Sequence, residues 1–191
     1  MEKAKRLGLW DGQSEFNFTR CFSSGGDEQR QQEGARLLKD GCSSSAFDVR
    51  DMMNVLRHKD SRICRSCDDT FPTQGSQVSS LSDKMKSVHW FTATPDPSLS
   101  LFKPFVFTKN AQASPLIVSP DEPLREHHLY KLHMGRISAS DNDDIAKAIQ
   151  KLEEEHIADI EKYANDNPTG QTDKLDNVLK DCVETEVNLY A

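Results

Sequence analysis

The sequence lacks the short motifs by which the common enzyme classes are recognised. It contains no G-x-S-x-G nucleophile turn, no H-E-x-x-H zinc pair, no P-loop, and no G-x-G-x-x-G between a strand and a helix. These absences exclude the usual signatures of serine hydrolases, zinc proteases, nucleoside triphosphatases and dinucleotide-dependent enzymes. The residues alone therefore predict no catalytic apparatus, no metal site and no cofactor.

Apolar residues are also scarce. Only 36% of the 191 residues are hydrophobic and 29% are charged, and the mean hydropathy is -0.69. This apolar content is low for a globular domain of such a length. Two explanations stay open: long loops dilute an adequate core, or sequence outside this chain completes the core.

Signals for export and membrane insertion are missing as well. The first fifteen residues are charged and contain no continuous apolar segment of the secretory type. The longest apolar runs, such as Leu116–Val118, are far too short to cross a bilayer. The five cysteines form an odd set without disulfide-scaffold spacing. We therefore expect a cytoplasmic protein with free thiols and no transmembrane segment.

Positive charge is in the minority, with 24 basic residues against 31 acidic ones and a formal net charge of -7. A nucleic-acid-binding face needs clustered lysine and arginine. The basic groups at 3–6 and 57–65 are short and interrupted, which is typical of solvated surface. The composition thus predicts that nucleic acid is not a partner.

In the first third of the sequence, one segment has the apolar spacing of a helix. Residues 5–22 and the Gly/Ser/Gln-rich stretch 23–33 have the composition of loops. In 46–58, apolar residues recur at i, i+3, i+4 and i+7, which predicts an amphipathic helix. Ser45 and Asp48 form a capping-box-like pattern at its start.

Three runs rich in β-branched and aromatic residues follow, which predict strands at Pro72–Leu81, Val88–Thr94 and Leu101–Thr108. The first two are close enough in sequence to form an antiparallel hairpin. Pro104 interrupts the third, so we expect an edge position or a bulge there.

The C-terminal half predicts helices. Residues 110–139 include three prolines and are expected to form a connector, and helices are predicted at 142–164 and 173–189. Their short link indicates an antiparallel αα-hairpin. The expected fold is α+β, with a small antiparallel sheet and packed helices. The expected segments are 1–109, which contains the sheet, 110–139, the connector, and 140–191, the hairpin.

Two clusters contain residue types that bind metals or carry out redox and acid–base chemistry. Cys64 and Cys67 form a CxxC, but no second pair supplies the four ligands of a zinc site, and the motif follows a helix rather than a strand. His127, His128 and His133 lie close together in sequence, but no carboxylate or cysteine completes a known constellation. A structural role is favoured for both clusters.

The acidic run Glu153–Glu155 is a candidate source of paired carboxylates for acid–base chemistry. Consecutive helical residues point about 100 degrees apart, so these side chains do not converge on one atom. The run therefore predicts a solvated helix face.

Four blocks of the sequence occur in an order that resembles one known family. They are 4–18 (AKRLGLWDGQSEFNF), 52–63 (MMNVLRHKDSRI), 71–105, which ends in HWFTATPDPSLSLFKPF, and 125–133 (REHHLYKLH). With these blocks the chain resembles the secernins, and TPDP followed by S-x-FKPF is the most specific part. One departure is clear: the S-G-I turn of the family is replaced by an arginine-containing turn at Arg62.

The resemblance implies a fold and a chemistry. Secernins are grouped with the C69 dipeptidases, which resemble N-terminal-nucleophile (Ntn) hydrolases: an αββα sandwich whose mature first residue is a cysteine that attacks an amide carbonyl. The five cysteines here lie inside the chain, and none begins a family-like nucleophile segment. The first matching block, 4–18, corresponds to the middle of a full-length secernin, so the resemblance covers only the C-terminal portion, about half. It implies no catalytic residue in this chain, which is expected to be inactive alone.

The resemblance also implies two residues near a substrate pocket. Thr94 and Asp96 lie in its most specific block at the end of a predicted strand, and we expect them near a substrate pocket. An alternative function is a non-catalytic interaction protein linked to regulated exocytosis, which would bind a protein partner through the C-terminal helical hairpin. A third reading is a degenerate copy that has no stable fold.

Overall fold

The chain forms a mixed α and β fold, described by a computed structural model for residues 1–23, 28–43, 46–82, 86–139, 142–166 and 173–190. Within these ranges it has seven α-helices and one three-stranded antiparallel sheet, which confirms the α+β class. None of the described helices combines the length and the apolarity needed to cross a bilayer. In chain order the elements are α1 (Glu2–Arg6), α2 (Phe18–Phe22), α3 (Glu28–Gly41), α4 (Val49–Arg57), β1 (Gln77–Ser80), β2 (Val88–Phe91), β3 (Lys103–Val106), α5 (His128–Ala139), α6 (Asp143–Asp166) and α7 (Val178–Tyr190), with short 3-10 helices at Pro115–Ile117 and Asp173–Leu175.

The strands pair in the order β1-β2-β3, and both pairs are antiparallel. Val78 lies opposite Trp90, which in turn lies opposite Pro104. The three predicted strands and the pairing of the first two are confirmed, although each strand spans only four residues. β3 is an outer strand of the order, so Pro104 occupies the edge position that a residue without an N–H requires.

Helices α4 and α6 pack against one face of the sheet. Trp90 and Val106 are buried there, together with Phe102 just before β3. They form one apolar cluster with Met53 of α4 and Ile157 of α6. Burial of each large side chain stabilises the fold by roughly 1.5–3 kcal/mol, and this cluster is the core that holds the sheet to its helices.

The opposite face of the sheet carries four aromatic rings that stay partly open to solvent. His89, Phe91 and Phe105 are partly buried, and Phe107 is 67% exposed. The centroids of the Phe105 and Phe107 rings are 4.9 Å apart, and those of His89 and Phe107 are 5.3 Å apart, both edge to face. We call these four residues the aromatic face. It makes the sheet apolar on both sides.

Helices α6 and α7 run antiparallel over the sheet, as the sequence predicts. Ile145 at the start of α6 belongs to the same cluster as Tyr190 at the end of α7. Ile160, near the end of α6, shares the other cluster with Val178 at the start of α7. Residues 167–172, between α6 and the 3-10 helix Asp173–Leu175, lie outside the described residues, as does the predicted capping residue Ser140.

The apolar stripe of α7 faces the inside of the protein. Cys182 and Val183 are buried, and Val178, Leu179 and Val187 pack against the two core clusters. An amphipathic helix ordinarily uses its stripe in this way. The predicted docking of a partner through the helical hairpin therefore lacks the exposed stripe on which it depended.

Four of the described α-helices were not predicted: the five-residue helices α1 and α2, of which α2 lies in the expected loop 5–22, and the longer α3 and α5. α3 occupies a segment that was expected to begin as a loop; no residue of α3 is buried, so it has no apolar stripe to reveal it. The Nη2 atom of its Arg30 donates to the carbonyl of Ile63 at 3.1 Å. α5 forms the end of the expected connector. Its Leu129 shares a cluster with Leu101 and Ile149, so the three predicted segments pack together.

The predicted start of the first confident helix was wrong by three residues. α4 begins at Val49 because Asp48 is its N-cap, and the Asp48 carboxylate accepts from the backbone N–H of Asp51. The Asp51 side chain accepts in return from the N–H of Asp48, which completes a capping box. The predicted cap, Ser45, lies outside the described residues.

The prediction of a solvated acidic face on α6 was wrong for one of its three residues. Glu153 is 4% exposed and pairs with Arg57 of α4, whose Nη1 atom lies 2.8 Å from Glu153 Oε2. Glu153 lies four residues from both Ile149 and Ile157, so it belongs to the buried stripe of the helix. Glu154 and Glu155 are exposed, as expected.

Candidate functional site

The loop after β2, Thr94–Ser100, is folded tightly on itself. The Ser100 hydroxyl lies within 3.1 Å of the carbonyl oxygens of Thr94, Pro95 and Asp96. The Thr94 hydroxyl donates to Ser100 Oγ at 2.8 Å, and both side chains are fully buried. Two prolines restrict the backbone here, and the hydroxyl contacts hold the loop in a single shape.

Asp96 is the charged centre of this loop. Its side chain is almost completely buried, and its backbone has a φ of 56°, in the left-handed region that aspartate tolerates better than most residues. Oδ1 accepts from the N–H of Ser98 at 3.1 Å, from the Ser98 hydroxyl at 2.6 Å and from the Cys64 thiol at 3.3 Å. Oδ2 lies 3.4 Å from Lys59 Nζ. The loop therefore fixes this carboxylate in place.

Asp96 and Lys59 open into a cleft of about 490 Å³, which we call the Asp96 cleft. The second half of α5 contributes Met134, Ile137 and Ser138, and Asn142 contributes an amide just before α6. Asn142 Oδ1 is buried and has no hydrogen-bond partner within the described part of the chain. The volume falls in the range of small-molecule sites, roughly 300–1,000 Å³.

The two predicted pocket residues have different positions in this site. Asp96 lines the cleft, whereas Thr94 is not part of its lining: Thr94 is fully buried and its hydroxyl donates to Ser100. The sequence did not indicate Lys59, Met134 or Asn142, because these residues come from three separate elements and meet only in the folded chain. Lys59 does belong to the second block of the resemblance, which was its only signal.

The CxxC lies beside the same carboxylate. Cys64 is buried and donates to Asp96, while Cys67 is partly buried and lines the cleft. Burial first, and the Asp96 carboxylate second, raise the pKa of each thiol to about 11. Both groups therefore remain protonated at neutral pH, and a protonated thiol is a poor nucleophile and a poor metal ligand.

The three clustered histidines have separate roles. His127 caps α5, since its Nδ1 accepts from the N–H of Tyr130 at 3.0 Å. His128 is exposed, and buried His133 lies 3.1 Å from the Tyr190 hydroxyl. Burial lowers the pKa of both His127 and His133. Across the described ranges, no three His, Cys, Asp or Glu side chains are grouped as metal ligands would be.

Comparison with known proteins leaves the family open. No family model matches the chain, and no solved structure matches it.

Proposed function

We propose that this chain is a secernin-like protein: the C-terminal portion of a C69 dipeptidase of the Ntn-hydrolase class, inactive by itself because it lacks the N-terminal cysteine nucleophile. The observation that carries the proposal is the aromatic face. In an αββα sandwich each sheet packs helices on its outer face and the second sheet on its inner face. Here helices cover one face, while Phe105 and Phe107 make the other face apolar and partly open.

Exposure of the aromatic rings to water is unfavourable in free energy, and a second layer packed on them would remove that penalty. An aromatic cluster left in water forgoes about 25 cal/mol for each Å² of apolar surface that remains unburied. Contiguous exposed apolar patches on soluble proteins commonly mark an interface. The low apolar content of the chain fits the same account, since a core completed by other sequence needs fewer apolar residues here.

The backbone at Arg62 adds independent support. This residue stands where the S-G-I turn of the secernins has its glycine, and its φ is 59°. Left-handed backbone is the conformation for which glycine is normally selected. The turn therefore has the shape of a glycine turn although the residue is arginine, as expected if the chain derives from a glycine-containing relative.

The most specific block of the resemblance is also the most buried polar part of the sheet region. Asp96, Ser100 and Lys103 are each at most 1% exposed, and each has hydrogen-bond partners. Buried polar groups need matched partners, so substitutions at these positions are tolerated poorly. This requirement gives a physical reason for a TPDP and FKPF pattern to persist in a divergent secernin.

The cysteines agree with a chain that is inactive alone. Burial raises the pKa of Cys182 to about 12, and Cys64 and Cys67 are shifted upward as described above. The Cys21 thiol donates to the carbonyl of Leu9 at 3.2 Å. Cys182 lies 3.4 Å from His156 Nε2, but burial raises its pKa. Cys64, Cys67 and Cys182 therefore lack the lowered pKa that activates a cysteine nucleophile.

Dipeptide hydrolysis by the purified 191-residue chain tests the proposal. We expect no release of free amino acids from a panel of dipeptides above the rate of buffer alone. Cys67→Ser and Cys42→Ser variants serve as matched controls, since Cys67 lines the cleft and Cys42 is exposed elsewhere. Turnover by the chain that disappears in Cys67→Ser and persists in Cys42→Ser would overturn the proposal, because it would reveal an internal nucleophile.

The alternative function, a non-catalytic protein of regulated exocytosis, needs a different binding surface from the one expected. The stripe of α7 is covered by the two core clusters. Affinity capture with the full chain and with a Phe105→Ser/Phe107→Ser variant tests this alternative. A specific protein that binds the chain and not the variant would favour it, while equal recovery by both would remove its support.

A further inference from the structure

We propose that the Asp96 cleft binds a small ligand through a protonated primary amine attached to a short aliphatic body. The inference concerns the groups that line the cleft and does not rest on the secernin proposal. Two features carry it: hydrogen-bond acceptors in the cleft with spare capacity, and apolar side chains beside them.

The first spare acceptor is Asp96 Oδ2. Its one partner in the described part of the chain is Lys59 Nζ at 3.4 Å, which is longer than the 2.7–2.9 Å of a well-formed charged pair. The Lys59 side chain is 47% exposed, whereas that of Asp96 is 2% exposed. A half-exposed lysine thus reaches a buried carboxylate from the surface. Its ammonium group marks the position that a ligand ammonium would take.

The second spare acceptor is Asn142 Oδ1. This atom is buried without a hydrogen-bond partner among the described residues, while the Asn142 Nδ2 atom lies 3.5 Å from the carbonyl of Ile137. A buried acceptor left unpaired is unfavourable. A ligand that donates a hydrogen bond would remove that penalty, and an ammonium group has three donors to share between Asn142 and Asp96.

The surroundings favour a cation over an anion. The cleft lies at the C-terminal end of α5, where the helix dipole places partial negative charge. The Ser138 hydroxyl donates to the carbonyl of Met134 at 2.8 Å, so its lone pairs face outward as further acceptors. Asp68 adds a carboxylate to the lining, and Lys59 is the sole cationic side chain among the described lining residues.

Apolar groups define the rest of the ligand. Leu99, Met134 and Ile137 line the same cleft, which offers contact for an aliphatic chain of several carbons. The cleft volume of about 490 Å³ accommodates such a molecule. The expected ligand class is therefore an alkylammonium group, whether it belongs to a free amine or to a larger molecule that ends in one.

Titration with n-hexylamine at pH 7 tests the proposal, with hexan-1-ol and hexanoate as probes of the same length and different charge. Methyl NMR of protein labelled at the methionine methyl groups reports the site directly, because Met134 lines the cleft whereas Met53 lies in a core cluster outside the cleft lining. We expect a saturable shift of the Met134 signal with hexylamine, none of the Met53 signal, and at least tenfold weaker binding of the other two probes.

Three variants locate the binding groups. Asp96→Asn, which keeps a residue type that tolerates positive φ, should weaken hexylamine binding at least tenfold. Asn142→Asp should strengthen it several-fold by adding a charge beside the ligand. Lys59→Met should also strengthen it, because the competing internal ammonium is gone. Asp121→Asn, at an exposed carboxylate outside the cleft lining, is the matched control and should leave affinity unchanged.

The opposite pattern overturns the proposal. It fails if hexanoate binds and Lys59→Met abolishes that binding, since the cleft would then be an anion site. It also fails if none of the three probes shifts the Met134 signal. A Met53 signal at the position seen in the unmodified chain shows that a variant is folded. If Asp96→Asn does not fold, the affinities of Lys59→Met and Asn142→Asp for hexylamine test the proposal instead.

Discussion

Lys103 and Glu186 form a buried ion pair that joins β3 to α7, and neither side chain is more than 1% exposed. The Glu186 carboxylate also accepts from the N–H of Leu101 at 3.1 Å and from the Tyr190 hydroxyl at 3.0 Å. Lys103 donates in addition to the carbonyl of Leu101 at 2.7 Å. Because each charge depends on the other, the pair makes the contact between strand and helix specific.

Removal of one partner should reveal this dependence. Lys103→Met leaves the Glu186 carboxylate buried and unpaired, so we expect the free energy of unfolding to fall by about 3–5 kcal/mol. Adding Glu186→Gln should recover at least half of the loss, because the amide oxygen still accepts from Leu101 and Tyr190. Urea denaturation measures both values.

The matched control for this prediction lies on the same helix. Lys180 pairs with Glu184 at 2.9 Å on the surface of α7, where solvent screens the interaction. Lys180→Met should leave the free energy of unfolding nearly unchanged. Equal losses for Lys103→Met and Lys180→Met would contradict the structural role given to the buried pair.

The turn at Arg62 supplies a second prediction at the scale of one residue. A non-glycine residue in the left-handed region costs about 1–2 kcal/mol, and glycine loses part of that gain to its larger entropy in the unfolded chain. Arg62→Gly should therefore raise the free energy of unfolding by about 0.5–1 kcal/mol. Arg36→Gly in α3 should lower it, since helical backbone disfavours glycine. A lower urea midpoint for Arg62→Gly would count against both the turn geometry and its kinship with a glycine turn.

At the scale of elements, the two faces of the sheet should respond differently to the same change. Phe102 is fully buried against α4 and α6, so Phe102→Ala should cost about 3–5 kcal/mol. Phe107 is 67% exposed, so Phe107→Ala in this chain should cost under about 1 kcal/mol. Thermal and urea unfolding of the two variants measure this difference. Similar large losses would mean that the aromatic face is already part of the core.

The elements that the sequence revealed are those with a clean pattern. The strands and the last two helices have regular apolar spacing, and the structure has them in the expected order. α3 was missed because none of its residues is buried, so no periodic stripe exists. α5 was missed because a histidine occupies its buried face: Leu129 and His133, four residues apart on one face, are both fully buried. Because histidine is a polar residue type, the sequence pattern does not mark this buried position as part of the core.

The candidate site was only partly predictable for a related reason. Asp96 was identified from a resemblance, and the structure places it on the cleft, whereas Thr94 is turned into the loop interior. Lys59 and Asn142 lie 83 positions apart in the numbering of the chain. No local sequence pattern predicts that these two residues line the same cleft, because their proximity depends on how α5 packs beside the loop that contains Asp96.

At the scale of the whole molecule, the proposed αββα relationship predicts that a second sheet covers the aromatic face. Helices and the buried Arg57–Glu153 pair secure one side of the sheet, and the aromatic face lies on the other. Apolar residues at the N-terminal end, such as Leu7 and Phe18, are also exposed, at 54% and 69%. Under the proposed function, both surfaces would be buried by the missing N-terminal portion.

The most direct test of this account is the mass of the endogenous protein on a denaturing gel, detected with an antibody raised against residues 101–107. This segment is largely buried in the native fold, so denaturation is needed to expose it. A band near twice the 21.6 kDa of this chain is the predicted result, because the second sheet and the nucleophile would then lie upstream in the same polypeptide. A band at 21.6 kDa would contradict it, and would favour a short protein with a non-catalytic function.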